Sequence, residues 1–265
     1  MVLVRGRGEG LGKPWRGQQL SPPEIVRLQI EGKEIVFEWG RSFELGTAAF
    51  WVAQTKMRRP PAERRLGSSL EEEVVACILG GFGLPASVGL AAFEEVRNSG
   101  LISSACPPAV PAVQSVLERP LTIHGRNAPV RYRFPRQRAE RVSAALQFLG
   151  RKSAPNAPIE LRAWLLGVPG IGPKTASWIT RNWTGANVAI IDIHVRRAGI
   201  SAGFFRPEWR LPQDYPAFEA AFRAVARLGH VSCADLDARI WGDLSFLGRD
   251  APLLIGETPP ESPIG

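Results

Sequence analysis

The sequence predicts a mainly α-helical fold with a short β-hairpin near its N-terminus. Three observations predict it. Apolar residues recur at helical spacing over most of the chain, alternating apolar and polar residues occupy 26–39, and a glycine-rich turn joins two helical segments within 157–183. At 265 residues the chain can form one large domain or two lobes around a shared cleft.

The N-terminal part begins with a segment unlike the rest of the chain. Residues 1–23 are rich in glycine, proline and arginine, which predicts a flexible basic arm. Residues 26–39 then alternate on both sides of Glu31-Gly32-Lys33, which predicts the β-hairpin.

Helices are predicted over most of the remaining chain. The segment 68–80 begins with serines that can cap a helix, continues with three glutamates and then turns apolar. The other predicted helices are 43–57, 88–97, 136–149, 215–228 and 234–247. Residues 107–111 are predicted as a loop or a helix start, residues 121–130 as a small second hairpin, and residues 251–265, with four prolines, as a disordered tail.

The segment 157–183 carries the most informative pattern. Residues 157–166 predict a short helix, and the next residues predict a turn in which Gly170 and Gly172 allow positive φ and close backbone approach. Pro173 suits a first helical position, and residues 174–182 continue as a second helix. The free N–H groups and the positive dipole at that helix start suit a DNA phosphate.

Lys174 lies at this helix start. The positive end of the helix should lower the pKa of Lys174, and partial burial should lower it further. Because a lysine must lose its proton before it can attack carbon, the position suits a nucleophile. Asp192 follows 18 positions later, where its carboxylate could return across a cleft to face the lysine.

Two other interpretations stay open. Similar hairpins occur in DNA-binding modules without catalysis, where Lys174 would only contact phosphate. Asp192 could be only the N-cap of a helix over 193–199, and His194 is interpreted as structural.

The charge distribution indicates a polyanionic partner. The net charge is +8 and the pI is about 10.1, and nucleic acid is the simplest partner for such a chain. Two basic clusters stand out, although each could also be a solvated helix face. Between 119 and 141, seven arginines accompany only Glu140: Arg119, Arg126, Arg131, Arg133, Arg136, Arg138 and Arg141. The second cluster contains Lys56, Arg58, Arg59, Arg64 and Arg65 beside Glu63.

The cysteines and the hydropathy indicate in which compartment we expect the protein. Cys77, Cys106 and Cys233 stand far apart without metal-ligand spacing, so no metal site and a reduced protein are expected. The chain start lacks the apolar core of a signal peptide, and no apolar run has membrane-spanning length. We therefore expect a cytoplasmic, nucleoid-associated protein without a membrane partner.

Residues 161–199 resemble the helix-hairpin-helix DNA glycosylases, in particular those that also cleave the DNA backbone. A looser resemblance covers 43–57 and 132–250. Phe50 to Thr55 is similar to the family segment whose glutamine wedges into the DNA stack, which makes Gln54 a candidate wedge, although an ordinary helix glutamine fits equally well. Residues 132–139, with Arg136 and Arg138, are similar to the stretch that leads towards the hairpin.

The resemblance implies a two-lobed glycosylase domain over 24–250, with helical lobes around a DNA-binding cleft. Lys174 and Asp192 would be catalytic, and Gly170, Gly172 and Pro173 would contact DNA. It implies a monomer acting on double-stranded DNA that contains a damaged base, with no cofactor beyond a structural monovalent cation that hairpin carbonyls can bind.

Some relatives carry a four-cysteine iron–sulfur cluster, which this chain cannot build. The missing cysteines and the Leu236-Asp237-x-x-x-Trp241 pattern resemble the cluster-free 8-oxoguanine glycosylases with AP lyase activity. A glycosylase for oxidised pyrimidines or mismatched bases, or a non-catalytic DNA-binding protein, remains an alternative. Residues 56–131 do not align easily, so the residues of the lesion pocket stay unassigned.

Overall fold

The computed structural model describes residues 22–58, 64–81, 83–104, 106–248, 251 and 255. Within them, two strands and ten helices follow one another along the chain. The strands are β1 (Ile25–Ile30) and β2 (Lys33–Glu38). The helices are α1 (Ala48–Met57), α2 (Leu70–Leu79), α3 (Ala86–Asn98), α4 (Val110–Leu117), α5 (Pro135–Leu149), α6 (Pro158–Leu165), α7 (Pro173–Thr184), α8 (Ile193–Ser201), α9 (Tyr215–Leu228) and α10 (Cys233–Leu247). The mainly α fold with one short hairpin is confirmed.

The N-terminal β-hairpin has the predicted position. Strands β1 and β2 are antiparallel, with Ile30 opposite Lys33. The two turn residues, Glu31 and Gly32, both have positive φ, at 49° and 76°. Such a turn matches the twist of the flanking strands.

Helix α1 begins later than predicted. The helix was expected from Phe43, but residues 40–47 form turns, and Thr47 caps the helix by accepting a hydrogen bond from the Phe50 N–H. Gly40 and Gly46 have positive φ, at 76° and 77°, which a helix cannot accommodate. The apolar residues of this stretch had suggested a longer helix.

The predicted second hairpin is reduced to one bridge. Leu121 and Val130 exchange two backbone hydrogen bonds of 2.8 and 2.9 Å. Gly125 adopts positive φ between them, and Pro129 has no N–H to donate to a ladder. The segment therefore closes as a loop and does not form two paired strands.

The chain divides into two compact units, each with its own apolar core. Unit 1 comprises residues 1–61 and 189–265, and unit 2 comprises residues 62–188. In unit 1, β1 packs against α9 and α1 packs against α10. In unit 2, α5 packs against α2 and α4, and α7 packs against α2 and α6.

The predicted ends of the chain fall largely outside the described residues. Residues 1–21 of the predicted arm are among those not described, as are most residues of the predicted tail 251–265. Ala251 and Ile255 differ from the predicted disorder, because both are helical positions buried in the core of unit 1. Among the described residues, no helix combines the length and the apolar character needed to cross a membrane.

Candidate active site and DNA interface

The predicted hairpin is formed by α6, the turn 166–172 and α7, all in unit 2. Leu165, Val168 and Ile171 are buried and anchor the turn in the core of unit 2. The Val168 N–H donates to the Leu165 carbonyl at 3.0 Å, and the Ile171 N–H donates to the Val168 carbonyl at 3.1 Å. Arg162 Nε also donates to the Ser177 hydroxyl at 2.9 Å, which links the two helices. The turn therefore has a fixed shape.

Gly170 and Gly172, two of the three glycines in the turn, differ in conformation. Gly170 has φ +84°, and a Cβ there would lie 2.7 Å from Cγ of Arg141. Gly172 has φ −99° and ψ 179°, ordinary extended backbone, so it does not use the positive φ that a glycine allows. A Cβ at Gly172 would meet no atom within 4 Å, which leaves this side of the turn open.

The open side of the turn presents backbone donors. Pro173 is the first residue of α7, as predicted. The N–H groups of Gly170 and Gly172 donate no hydrogen bond to any part of the chain that the structure describes. Together with the dipole of α7, these donors suit an anion.

Lys174 is half-buried in the first turn of α7. Its Nζ lies 5.9 Å from the ring centroid of Trp178, one turn further along α7. The same Nζ lies 3.9 Å from the position of a Cβ built on Gly81, whose φ is +91°. The ammonium group therefore lies between an aromatic ring and a glycine turn.

Sequence reasoning missed both of these neighbours. Trp178 packs its Cη2 3.0 Å from the Cβ position at Gly80, so the indole lies on the end of α2. The signals were present in the sequence: a run with glycine at 80, 81 and 83 directly after an apolar helix, and a tryptophan four positions after Lys174. Four residues is the helical spacing that places side chains on one face.

The arginines of α5 fall into two kinds. Arg136 is exposed and pairs with Glu140 at 3.2 Å. Arg138 is half-buried, and its Nε is enclosed without a hydrogen-bond partner among the described residues. Burial lowers the pKa of the Arg138 guanidinium, and the charge of Arg141 lowers it further. Arg141, a member of the predicted basic cluster without a predicted site role, lies against Gly170.

A buried carboxylate ties α2 to α7. Glu73 accepts hydrogen bonds from the N–H groups of Leu66 and Gly67, at 2.7 and 3.1 Å, and from Asn182 Nδ2 at 2.9 Å. The Cys77 thiol also donates to it, at 3.7 Å. This network fixes the helix that carries Lys174 against the helix that ends in the glycine turn.

Asp192 and Gln54 belong to unit 1. Asp192 is the N-cap of α8, and its Oδ1 accepts the Val195 N–H at 2.9 Å. The capping role is therefore confirmed, and it is compatible with a second role for the charge. Gln54 is half-buried in α1, and its role as a wedge stays a prediction.

The family model of 8-oxoguanine DNA glycosylases with the helix-hairpin-helix motif matches residues 64–230. This match covers more than half of the chain and includes the hairpin, Lys174 and Asp192. The chain belongs to this family.

Individual relatives agree with the assignment. An 8-oxoguanine DNA glycosylase/AP lyase of Metallosphaera sedula is 30% identical over 115 residues, which are 42% of this chain and 57% of that protein. The match thus spans little more than half the length of this relative.

Two solved structures resemble the fold. The 8-oxoguanine DNA glycosylase of Thermotoga maritima has a TM-score of 0.50 and 25% identity, covering 65% of this chain and 77% of its own. The Methanocaldococcus jannaschii enzyme in complex with a 15mer DNA containing 8-oxoguanine has a TM-score of 0.52 and 22% identity, covering 73% and 87%. The helix-hairpin-helix glycosylase fold is thereby confirmed.

The extent of the family match corrects one expectation. Residues 64–131, which do not align easily by inspection, lie within the matched region. Gln54 lies before it, and the Leu236 to Trp241 pattern lies after it. The family assignment therefore does not rest on either of those features.

Proposed function

We propose that the protein is a bifunctional DNA glycosylase/AP lyase that excises 8-oxoguanine from duplex DNA. The observation that carries the proposal is a half-buried lysine at the start of α7, within a family-matched hairpin, beside an indole ring and Gly81. Because a glycine carries no side chain, Gly81 leaves room beside the amine for a deoxyribose to approach.

Lys174 supplies the nucleophile. Its neutral amine attacks C1′ of the damaged nucleotide, and the bond from C1′ to the base breaks with the electron pair leaving on the base, which takes up a proton. Nζ then loses a proton, and its lone pair forms a double bond to C1′ as the C1′–O4′ bond breaks. The electron pair of that bond leaves on O4′, which takes up a proton, so the open sugar carries a protonated Schiff base between Nζ and C1′. Loss of a proton from C2′ then expels the 3′ phosphate oxygen, which nicks the strand by β-elimination.

Asp192 supplies the negative charge. Positive charge develops on the sugar as the base departs, and a preorganised carboxylate stabilises it without reorganisation. An ionised Asp192 also offers an acceptor for protons moved during the reaction. In this proposal, the cap that it provides to α8 holds the carboxylate in one orientation.

The hairpin and α5 hold the DNA backbone. The N–H groups of Gly170 and Gly172 point to a phosphate oxygen, and Arg141 adds a guanidinium at the same turn. The Arg141 side chain makes no hydrogen bond or ion pair with the residues that the structure describes, so its charge is available to an anion. Arg138 stands beside it, and a bound phosphate would relieve the repulsion between the two guanidinium groups.

Base recognition requires an aromatic surface near the nucleophile. An enzyme that acts on a base inside a duplex must extrude the nucleotide into a pocket, where the base stacks on a side chain. Among the described residues, Trp178 has its ring beside Lys174, and we assign the stacking role to it.

A monovalent cation fits the same turn. The carbonyl oxygens of Pro169, Gly170 and Ile171 accept no hydrogen bond from the described residues, as ligands of a hard cation require. Such an ion would stiffen the turn and take no part in the chemistry. We further propose that the enzyme acts as a monomer in the compartment that holds the DNA.

Initial rates on a set of duplexes test the proposed function. The duplexes carry 8-oxoguanine opposite cytosine, thymine glycol, uracil or undamaged guanine, and both base release and strand nicking are measured. We expect 8-oxoguanine to be released fastest, with nicking at the same site. A faster rate on thymine glycol would show that the substrate is an oxidised pyrimidine, and the proposed role of Lys174 would still stand. No base release from any duplex would show that the protein binds DNA without catalysis.

A further inference from the structure

The segment that leads into Asp192 is held by two buried polar side chains. Residues 186–192 are neither helix nor strand, so their backbone groups need partners from elsewhere. The Ile190 N–H donates to Oδ2 of Asp237 in α10, at 2.7 Å. The Ile191 N–H donates to the Tyr215 hydroxyl at the start of α9, at 3.2 Å, and the same hydroxyl donates to the Ala189 carbonyl at 3.3 Å.

Three consecutive residues are thus fixed directly before Asp192. Ala189, Ile190 and Ile191 are all buried, so their backbone groups have little access to water. Leaving a buried N–H or carbonyl without a partner costs free energy of folding, so these side-chain contacts are needed to keep the segment in place.

Both holding residues are placed deep in unit 1. Asp237 is 3% exposed and Tyr215 is 2% exposed. A carboxylate at such depth is costly unless its oxygens are hydrogen-bonded. An apolar side chain would fill the same space without that cost, so packing alone does not account for an aspartate at this position.

The backbone on the other side of Asp192 is also fixed. Asp192 adopts an extended conformation, with φ −104° and ψ −173°, and its Oδ1 caps α8 through the Val195 N–H. The cap orients the carboxylate relative to α8, while Asp237 and Tyr215 fix the position of the backbone directly before Asp192. Together they leave the Asp192 carboxylate little freedom.

We propose that Asp237 and Tyr215 are positioning residues that hold the Asp192 carboxylate in its reactive place, an inference that rests on the catalytic role proposed for Asp192. Neither residue touches substrate in this account. Each acts through the backbone of 189–191, and a misplacement of about 1 Å at a reacting group can lower a rate by about 100-fold.

A double-mutant cycle tests this inference. Tyr215→Phe keeps the ring and removes the hydroxyl that holds Ile191 and Ala189. Asp237→Ala removes the acceptor of the Ile190 N–H and serves as the second variant should Tyr215→Phe fail to fold. Each is measured alone and combined with Asp192→Asn, in single-turnover excision assays on full-length protein, with DNA affinity and melting temperature measured alongside.

We expect Tyr215→Phe and Asp237→Ala each to lower the single-turnover rate by about 10-fold or more in the wild-type background, with DNA affinity within about 2-fold. In the Asp192→Asn background, the same changes should lower the residual rate by less than about 2-fold, because the group that they position is gone. Asp243→Ala, at an aspartate of α10 that pairs with Arg239, is the matched control and should leave the rate unchanged.

Other outcomes identify which claim fails. An equal fold-loss in both backgrounds, or an unchanged rate in both single variants, would overturn the positioning role while leaving the proposed function intact. A wild-type rate for Asp192→Asn alone would remove Asp192 from the mechanism, and the positioning role with it.

Discussion

Asp192 combines two roles that a single substitution can separate. Its Oδ1 caps α8, and its charge is the part that the proposed chemistry needs. An asparagine keeps an oxygen for the Val195 N–H but carries no charge.

We therefore expect Asp192→Asn to fold normally and to excise slowly. The loss of one stabilising charge at a reacting centre costs about 3 kcal/mol, or roughly 100-fold in rate. Single-turnover excision and thermal unfolding measure the two effects. An excision rate equal to that of the wild type would show that Asp192 is only a cap.

The three cysteines differ in their environment. Burial raises the pKa of Cys77 well above its usual range, and the charge of Glu73 raises it further. Burial also raises the pKa of Cys233, to about 11, whereas Cys106 is exposed. Since the thiolate is the reactive form, Cys77 and Cys233 are protonated and inert near neutral pH.

We expect a maleimide at pH 7.5 to label the folded protein once, at Cys106, and to label all three cysteines after unfolding. Peptide mass mapping identifies the labelled residue. Because both raised pKa values keep the thiols protonated as pH rises towards 9, the labelling of Cys77 and Cys233 should stay slow over that range. Rapid labelling of either buried cysteine in the folded protein would contradict the described burial.

At the scale of the elements, the hairpin turn requires glycine at position 170 but not at position 172. Gly170 has φ +84° and no space for a Cβ beside Arg141, whereas Gly172 has an ordinary φ and open space. A residue other than glycine is strained at positive φ by about 1 to 2 kcal/mol.

Gly170→Ala should therefore lower the free energy of unfolding by at least about 1 kcal/mol, while Gly172→Ala should leave it nearly unchanged. Chemical denaturation of the two variants makes a matched comparison. Equal destabilisation of both variants would contradict the described turn.

A second prediction at this scale concerns Arg141 of α5 and the salt dependence of DNA binding. Arg141 lies at the hairpin turn, whereas Arg97 of α3 pairs with Glu94. The slope of log Kobs against log salt concentration is about −0.9 for each DNA phosphate that the protein neutralises. We expect Arg141→Ala to reduce the steepness of this slope by about 1, and Arg97→Ala, the control, to leave it unchanged. The measurement is a salt titration of DNA affinity, and equal slopes for both variants would remove Arg141 from the interface.

Most elements could be predicted from local sequence signals. The bounds of α5 and α9, for example, follow from apolar spacing, with proline in the first turn of each. The start of α1 could not be predicted in this way. The apolar residues Phe43 and Leu45 continue the helical pattern, but Gly40 and Gly46 have positive φ and keep this stretch out of the helix. Both side chains are exposed, so no core contact supports a helix there.

The candidate site was predictable only where the pattern is local. Lys174, Gly170 and Pro173 lie within one hairpin, so their spacing predicted their arrangement. The neighbours of Lys174 at Gly81 and of Gly170 at Arg141 are distant in sequence, and depend on how α2 and α5 pack against the hairpin. Spacing carries no information on such contacts.

At the scale of the whole molecule, the chain leaves unit 1 after its first helix and returns to it before Asp192. Apolar periodicity shows that α1 and α10 each have a face to bury, but not that these two faces bury each other. The composition indicates a polyanionic partner without any knowledge of the architecture, because a net charge of +8 favours a polyanion whatever the fold.

The central claim is that Lys174 forms a covalent bond with damaged DNA. Borohydride reduces a Schiff base to a stable amine, so trapping on a duplex with 8-oxoguanine tests the claim directly. Wild-type protein should be trapped, whereas Lys174→Gln should give no trapped product while binding DNA with an affinity within about 3-fold of the wild type. Lys152 is an exposed lysine that stacks on Phe148, and the control variant Lys152→Gln should be trapped normally. Undiminished trapping of Lys174→Gln would contradict the account.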